Sequence, residues 1–518
     1  MKRPAFSDVA FALLAAALVA SVAWDAFVFR LVTHLPGSDY WEHTAVLRSL
    51  IADPWHPRHP LVVTDAGSPR FGPHFLLVAL IARAVQFGPI DAMALASVLN
   101  AVLFVLGIFL FFRLYFQNRL ASLYGLVVMF GTWLGDAPHF SNVYKLAVFY
   151  SVAGYPSSAA LALTLLGLTL VVRLLRDERQ RPGLLALSAA VWAYIYLTHP
   201  LTAMMSLTAA VLLAATEPGV PRQRRLWVAA MVPAGIVLAA FWPYYPALGM
   251  VMKGTAARVS HRIASSDNGE LHRFYSASYL FQISGFALLA VPCFGYFVVV
   301  RRHLFLVLGT LAMLAVFVVS AFIDIPLGHR FVLLAMFFLQ IGVVFLLLAL
   351  TPRESPLPVW ARRPPLRVAA AVGTGALLVF LVVSNVQAAV ARFGEFARAS
   401  HPVRLSRRIG QIAGPDGVIL GDAQTCWSVP TFGPRVVAPH HSNPLVPDTD
   451  ERRLAVRLFY TYGMSDAERT RVIERYHVTH VLFTGHQSGP AERFSEQRGT
   501  LYELPFGARL YALRPRTP

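Results

Sequence analysis

The sequence predicts a polytopic α-helical membrane protein ending in a small soluble α/β domain. Three observations carry this. Of the 518 residues, 56% are hydrophobic and only 14% charged, and the mean hydropathy is +0.56, values of membrane chains rather than of soluble domains. Apolar runs of spanning length recur from residue 9 to residue 390. After about residue 400 the pattern changes, with helix-like runs (404–412, 451–462, 466–476) alternating with β-like runs (418–421, 478–483, 510–513). The expected division is a membrane domain over 1–395, with a first outer loop at 33–70, and a soluble domain over 396–518.

Taken in order, the first apolar run starts near Val9 and continues to Val32, and Trp24, Asp25 and Arg30 make no small-residue cleavage site. It reads as a retained first helix with a cytoplasmic N-terminus. The loop 33–70 is rich in His and Pro and contains an amphipathic helix pattern over 39–51. Apolar segments follow at 71–87, 91–114 and 120–135, then at 156–175, 184–198, 200–216, 226–247, 276–300, 304–323, 331–350 and 368–390.

The net charge of +18 does not imply nucleic acid, because the basic residues cluster between apolar runs at 173–181, 222–225, 301–303 and 353–367. That distribution marks cytoplasmic loops. It places His199, the loop 250–273, residues 324–330 and everything after about Val390 on the outer face. An outer C-terminus demands an odd number of crossings. Either 145–155 adds a short span, giving about thirteen crossings, or one early segment is re-entrant, giving about eleven. Thirteen is the expectation adopted, although it places Arg113 and Arg119 outside, against the charge rule. The Pro-rich stretch 352–365 reads as a connector, and two cysteines, Cys293 and Cys426, indicate neither disulfide stapling nor a cysteine metal site.

Polar chemistry collects on the outer side. In Gly37-Ser38-Asp39-Tyr40-Trp41-Glu42-His43, an acid at the membrane boundary suits a general base or a metal ligand, and Asp39 and His43 share a helix face at i and i+4. The competing reading makes Asp39 an N-cap and Tyr40-Trp41 an interfacial belt. His56, His59 and His74 match no metal-ligand spacing and read as structural. In Asp324-Ile325-Pro326-Leu327-Gly328-His329-Arg330, a forked guanidinium at a helix start suits a phosphate. The alternative is snorkelling or pairing with Asp324. His199 at a tight turn, Arg262 in the basic loop 250–273 and Asp324 are further candidates for substrate binding. Asp136 and His139 depend on the early topology.

This layout resembles the GT-C glycosyltransferases, which include protein O-mannosyltransferases, oligosaccharyltransferase catalytic subunits and aminoarabinose transferases. The resemblance rests on Asp39 in a large first outer loop, the number of spans, Arg330 at the outer end of a late span and the C-terminal soluble domain. It implies a sugar donor linked to polyprenyl phosphate, a glycan, lipid or protein acceptor, and a site in the cell (inner) membrane with the C-terminal domain periplasmic. It assigns catalysis to Asp39 with His43, the donor phosphate to Arg330 with His329, and a divalent cation (Mg or Mn), where one takes part, to Asp39. The chain departs from the pattern in lacking paired acids in the first loop and a Trp-Trp-Asp motif in the tail.

Two other classes use similar architecture. A transporter or flippase would show ionisable residues at mid-membrane and internal repeats, whereas the spans from Ala159 onward carry no mid-helix Asp, Glu, Lys or Arg. An O-antigen-type polymerase or ligase would place catalytic Arg and His in a late loop, for which 250–273 is the candidate. A non-catalytic scaffold using the tail for binding is a further class.

Overall fold

The computed structural model describes residues 6–28, 38–133, 144–177, 182–249, 275–323, 325, 327–351, parts of 372–390, and 401–514 without 442 and 486–488. The helices before residue 351 are α1 (Phe6–Val28), α2 (Tyr40–Ala52), α3 (Pro73–Ala84), α4 (Pro89–Phe116), α5 (Leu120–Gly131), α6 (Leu146–Val152), α7 (Pro156–Arg176), α8 (Pro182–Thr198), α9 (Pro200–Thr216), α10 (Arg222–Ala240), α11 (Ala277–Ser284), α12 (Val291–Val300), α13 (Leu304–Val319) and α14 (Phe331–Leu350). The chain divides into two compact units. One is Met1–Trp24, Ser97–Trp242 and Gly254–Arg392; the other is Asp25–Ala96, Pro243–Lys253 and Phe393–Pro518.

In the first unit, helices start where proline fixes φ and needs no hydrogen bond, as at Pro156 and Pro200. Among the described residues, four helices are long and apolar enough to cross a bilayer unaided: Phe6–Val28, Pro89–Phe116, Pro156–Arg176 and Gly328–Leu350. The last is the most enclosed by protein. Its Phe338 packs so closely on α13 that a Cβ at Gly309 would lie 2.3 Å from the ring; small residues permit such approach where lipid supplies no hydrophobic drive. Several buried side chains bond between helices. Gln340 Nε2 donates to Met129 O at 3.2 Å and Thr132 Oγ1 at 3.0 Å, and Asn100 Nδ2 donates to Ala153 O at 2.8 Å.

Contacts at one end of this unit correct the expected early topology. Asp8 pairs with Arg113 at 2.8 Å, Arg176 donates to the Leu114 and Tyr115 carbonyls at 2.7 and 3.1 Å, the Tyr115 hydroxyl meets His303, and Tyr124 bonds Thr351 at 3.0 Å. Arg113 therefore lies at the same end as Arg176 and His303, in keeping with the charge rule and against the thirteen-span option. Moreover, α6 is seven residues long, or roughly 10 Å, too short for a core of about 30 Å. Helix α3, within 71–87, has twelve residues and belongs to the second unit with the first loop. The alternative of about eleven crossings, with an early non-crossing segment, fits these contacts.

The second unit is built on a five-stranded sheet of β1 (Val418–Leu420), β2 (Arg435–Val436), β3 (His480–Phe483), β4 (Gly499–Glu503) and β5 (Arg509–Leu513), in the order β2-β1-β3-β5-β4. β1 is parallel to β2 and β3, whereas β5 is antiparallel to β3 and β4. All three β1 residues are buried, as an apolar strand inside a parallel arrangement requires. Helices α15 (His401–Ala413), α16 (Thr449–Phe459), α17 (Asp466–Arg475) and α18 (Pro490–Glu496) accompany it. α17 starts at a reciprocal Ser465–Glu468 capping box.

The first loop is built into this α/β unit. The Val436 N–H donates to Leu61 O at 2.7 Å, and Ala45, Leu61 and Val62 share a core with Leu405, Ile409, Ile419 and Val429. Thr44 Oγ1 bonds Thr431 Oγ1 at 2.7 Å, and Thr431 donates to Trp41 O at 3.1 Å. The helix expected over 39–51 exists as α2, but Tyr40–Leu47, Ser49 and Leu50 are buried. Protein encloses most of its surface, where an interfacial helix would leave a polar face open.

Candidate active site

α2 brings its first turn against the tail of the chain, and both lie within the second unit. Asp39 stands at the N-cap position with φ −56° and ψ −14° and makes no cap hydrogen bond. Capping residues normally sit in the extended region, so the carboxylate does not cap α2. Its Oδ1 lies 3.5 Å from His441 Nδ1, and its side chain is 39% exposed. Tyr40 and Trp41 are buried at 2% and 0% exposure, which removes the interfacial-belt reading.

Glu42 is the centre of the cluster. Its side chain is 1% exposed, Oε1 lies 3.0 Å from His441 Nδ1, and Oε2 pairs with Arg70. The backbone N–H of His441 also donates to Oε1 at 3.4 Å. His43 is buried, with Nδ1 3.5 Å from Arg70 Nη1 and its ring 5.2 Å from that of Phe75. Beside His441, Trp427 stacks on His440 at 3.8 Å between ring centroids and meets His441 edge-on at 4.9 Å. An aromatic wall thus stands next to two carboxylates.

Burial acts to raise the Glu42 pKa, but Arg70 and then His441 outweigh it and hold the carboxyl at about 2. Glu42 therefore stays an anion through the physiological range and serves to fix Arg70 and His441. Asp39, more open to solvent, is the carboxylate able to meet a substrate proton. A depressed carboxyl pKa adds stability above the unfolded value near 4.5, and that contribution falls away toward about 2. Thermal melts of the purified protein are expected to show a Glu42-dependent loss of stability as pH drops from about 4.5 toward 2, and Glu42→Gln should flatten that part of the profile.

The other expected residues fall in several places. Arg330 is the N-cap residue of α14, with φ −80° and ψ −11°, and is the last residue of the 3-10 turn Gly328–Arg330 that contains buried His329. His199 Nδ1 accepts the Thr202 N–H at 3.2 Å and caps α9, which gives it a structural task. Asp324, Arg262, Asp136 and His139 lie outside the described residues. His59 and His74 are buried and His56 is exposed. His59 Nδ1 accepts the Leu61 and Val62 N–H groups at 3.3 and 3.2 Å, as a structural histidine does. Among the described residues no group of three or more His, Cys, Asp and Glu is arranged to hold a metal ion.

Sequence reasoning quoted Glu42 inside its motif without giving it a role, and missed Arg70 and His441. Glu42 three residues after Asp39 was a usable signal for a second acid on the first helical turn. Nothing in spacing pointed to His441, 399 residues from Glu42.

No protein-family model matches the sequence, and no curated protein is similar to it in sequence. Solved structures do match. ArnT from Cupriavidus metallidurans in the apo state has a TM-score of 0.60 at 15% identity, covering 98% of this chain and 100% of that one. The same protein bound to undecaprenyl phosphate has a TM-score of 0.57 at 13% identity, with 98% and 99% covered. The Archaeoglobus fulgidus oligosaccharyltransferase AglB, in complex with an inhibitory peptide and a dolichol-phosphate, has a TM-score of 0.52 at 12% identity, covering 99% of this chain and 75% of that one. With nearly the whole chain covered by these structures, the fold of this protein is the GT-C-like membrane fold with a small C-terminal α/β region.

Proposed function

We propose that this chain is a membrane glycosyltransferase that takes a hexosyl or pentosyl group from a polyprenyl-phosphate-linked donor on the non-cytoplasmic face of the cell (inner) membrane. The acceptor is a glycan, lipid or protein of the cell envelope. The observation that carries this reading is the Asp39 carboxylate, relieved of any cap role and set beside the ion-paired Glu42–Arg70–His441 group. The fold likeness to ArnT bound to undecaprenyl phosphate and to AglB with a dolichol-phosphate supports the choice of donor.

In this reading the acceptor O–H gives its proton to Asp39 as its oxygen bonds to the anomeric carbon. The bond from that carbon to the donor phosphate oxygen breaks, and the phosphate leaves with the electron pair. Glu42 and Arg70 hold the base and His441 in register; the donor-phosphate role assigned to Arg330 with His329, at the start of α14, rests on the resemblance and on the chemistry of a guanidinium at a helix start. His43 lies beside Arg70 and helps position it. A divalent cation, Mg or Mn, would be held by Asp39, whose carboxylate is partly exposed. When bound it would neutralise phosphate charge.

Native mass spectrometry of the detergent-purified protein tests the donor site. Wild type and Asp39→Asn are expected to retain a polyprenyl-phosphate lipid, and Arg330→Ala to lose roughly tenfold or more of it. Equal retention by all three, or retention by none, removes Arg330 from the site.

A further inference from the structure

Farther along α2, the second unit contains a cavity of about 780 Å³, within the size range of small-ligand sites. It begins at Arg48, six residues past Glu42 and so roughly 9 Å along the helix axis. Four arginines line it: Arg48 from α2, Arg58 from the following loop, Arg407 from α15 and Arg435 from β2. The fold brings these cations together from four separate segments.

Asp416 pairs with one of the four and its charge also reaches Arg435. Arg58 pairs with Asp416 at 2.9 Å, whereas among the described residues Arg48, Arg407 and Arg435 form no ion pair. Arg48 donates to the Gly433 and Pro60 carbonyls, while its Nε is buried with no hydrogen-bond partner. Gly433 takes φ +129° to reach that position, a conformation closed to side-chain-bearing residues. Burial and then the charge of Arg435 push the Arg48 pKa down to about 10, so the two guanidiniums repel without an anion between them. Arg407 lies over the Phe432 ring at 5.9 Å. Two acids, Asp53 and Asp91, also line the cavity. The Asp53 carboxylate is engaged by the Trp55 and His56 N–H groups and does not offset the arginines.

The carbonyl bonds of Arg48 explain one guanidinium as a strut, but they leave Arg407 and Arg435 unexplained. Forked, permanently charged donors converging on one space are suited to a phosphate. The depth of the site narrows the source: Gly88, Pro89, Ile90 and Asp91 form part of the wall, and they are the start of α4, a helix long enough to span the bilayer. This part of the wall therefore belongs to the end of a helix of spanning length, and at a membrane surface phosphates are carried by lipids.

We propose that the Arg48–Arg407–Arg435 cavity is a second binding site, separate from the Asp39–Glu42 cluster, for the phosphate of an anionic lipid headgroup. The test is native mass spectrometry of the full chain titrated with phosphatidylglycerol, phosphatidylcholine or inorganic phosphate, for wild type, Arg407→Gln, Arg407→Gln/Arg435→Gln and Arg58→Gln. Wild type and Arg58→Gln are expected to prefer phosphatidylglycerol over phosphatidylcholine by roughly tenfold, with the preference reduced in Arg407→Gln and lost in the double variant. Thermal melts without added lipid check that each variant is folded, and the exposed Arg407 position keeps the single variant informative should the double variant fail to fold. Displacement of phosphatidylglycerol by an equal concentration of inorganic phosphate would overturn the lipid source while supporting the phosphate site. An unchanged lipid preference in folded Arg407→Gln and double variants would overturn the site itself. The polyprenyl lipid expected at Arg330 differs in mass, so one spectrum separates failure here from failure of the donor reading.

Discussion

Asp39→Asn is expected to slow sugar transfer by about 10²–10⁴-fold, the usual worth of a positioned general base, with the melting temperature near that of wild type. The separation of effects follows from the geometry. Asp39 makes no cap hydrogen bond to α2, and its contact with His441 is long, at 3.5 Å, so an isosteric amide removes little that holds the fold. It does remove the basic oxygen that faces solvent. Release of free polyprenyl phosphate, measured with native membrane extract as the source of donor and acceptor, gives the rate. A variant that turns over as fast as wild type would exclude Asp39 as the base.

The largest stability effect is expected at Glu42. Changing it to Gln leaves Arg70 without its anion and His441 with a neutral acceptor in place of a charged one, around a Glu42 side chain that is only 1% exposed. Breaking a buried ion pair from one side costs about 3 kcal/mol or more, which corresponds to a fall in Tm of roughly 5 °C or more. The double variant Glu42→Gln/Arg70→Gln should be less destabilised than the sum of the two single variants, because the second change removes the orphaned charge. Additive losses would mean that the pair contributes no coupling.

The membrane class and the α/β character of the tail were legible because both rest on local pattern. Continuous apolar runs fix the first, and the β-like stretch 418–421 became β1 (Val418–Leu420) because an all-apolar run of that length suits a strand buried on both faces. The two-residue β2 and the exposed β4 left no such trace, since edge strands need no apolar face. The segment 71–87 resembled a span because composition does not separate a helix packed within a loop from one that crosses lipid. The twelve residues of α3 decide that question through length.

The candidate site was half legible. Asp39 and His43 stood out through helical spacing and position. What completes the cluster is long-range. Arg70 reaches His43 across 27 residues and His441 reaches Glu42 across 399, encounters fixed by the docking of Leu61 beside β2 and of α2 on the turn Val429–Phe432. No periodicity encodes them. The same docking assembles Arg48, Arg407 and Arg435, which in the sequence are three unremarkable basic residues among many.

The most direct test of the proposed activity is to incubate the purified wild-type protein with lipid-linked sugars extracted from its native membranes and follow each carrier by mass spectrometry. The expected result is conversion of one polyprenyl-phosphate sugar to free polyprenyl phosphate, with the sugar recovered on an acceptor and the conversion abolished in Asp39→Asn. If wild type consumes no polyprenyl-phosphate sugar, or Asp39→Asn consumes it equally, the assignment of a glycosyltransferase with its base at Asp39 is contradicted.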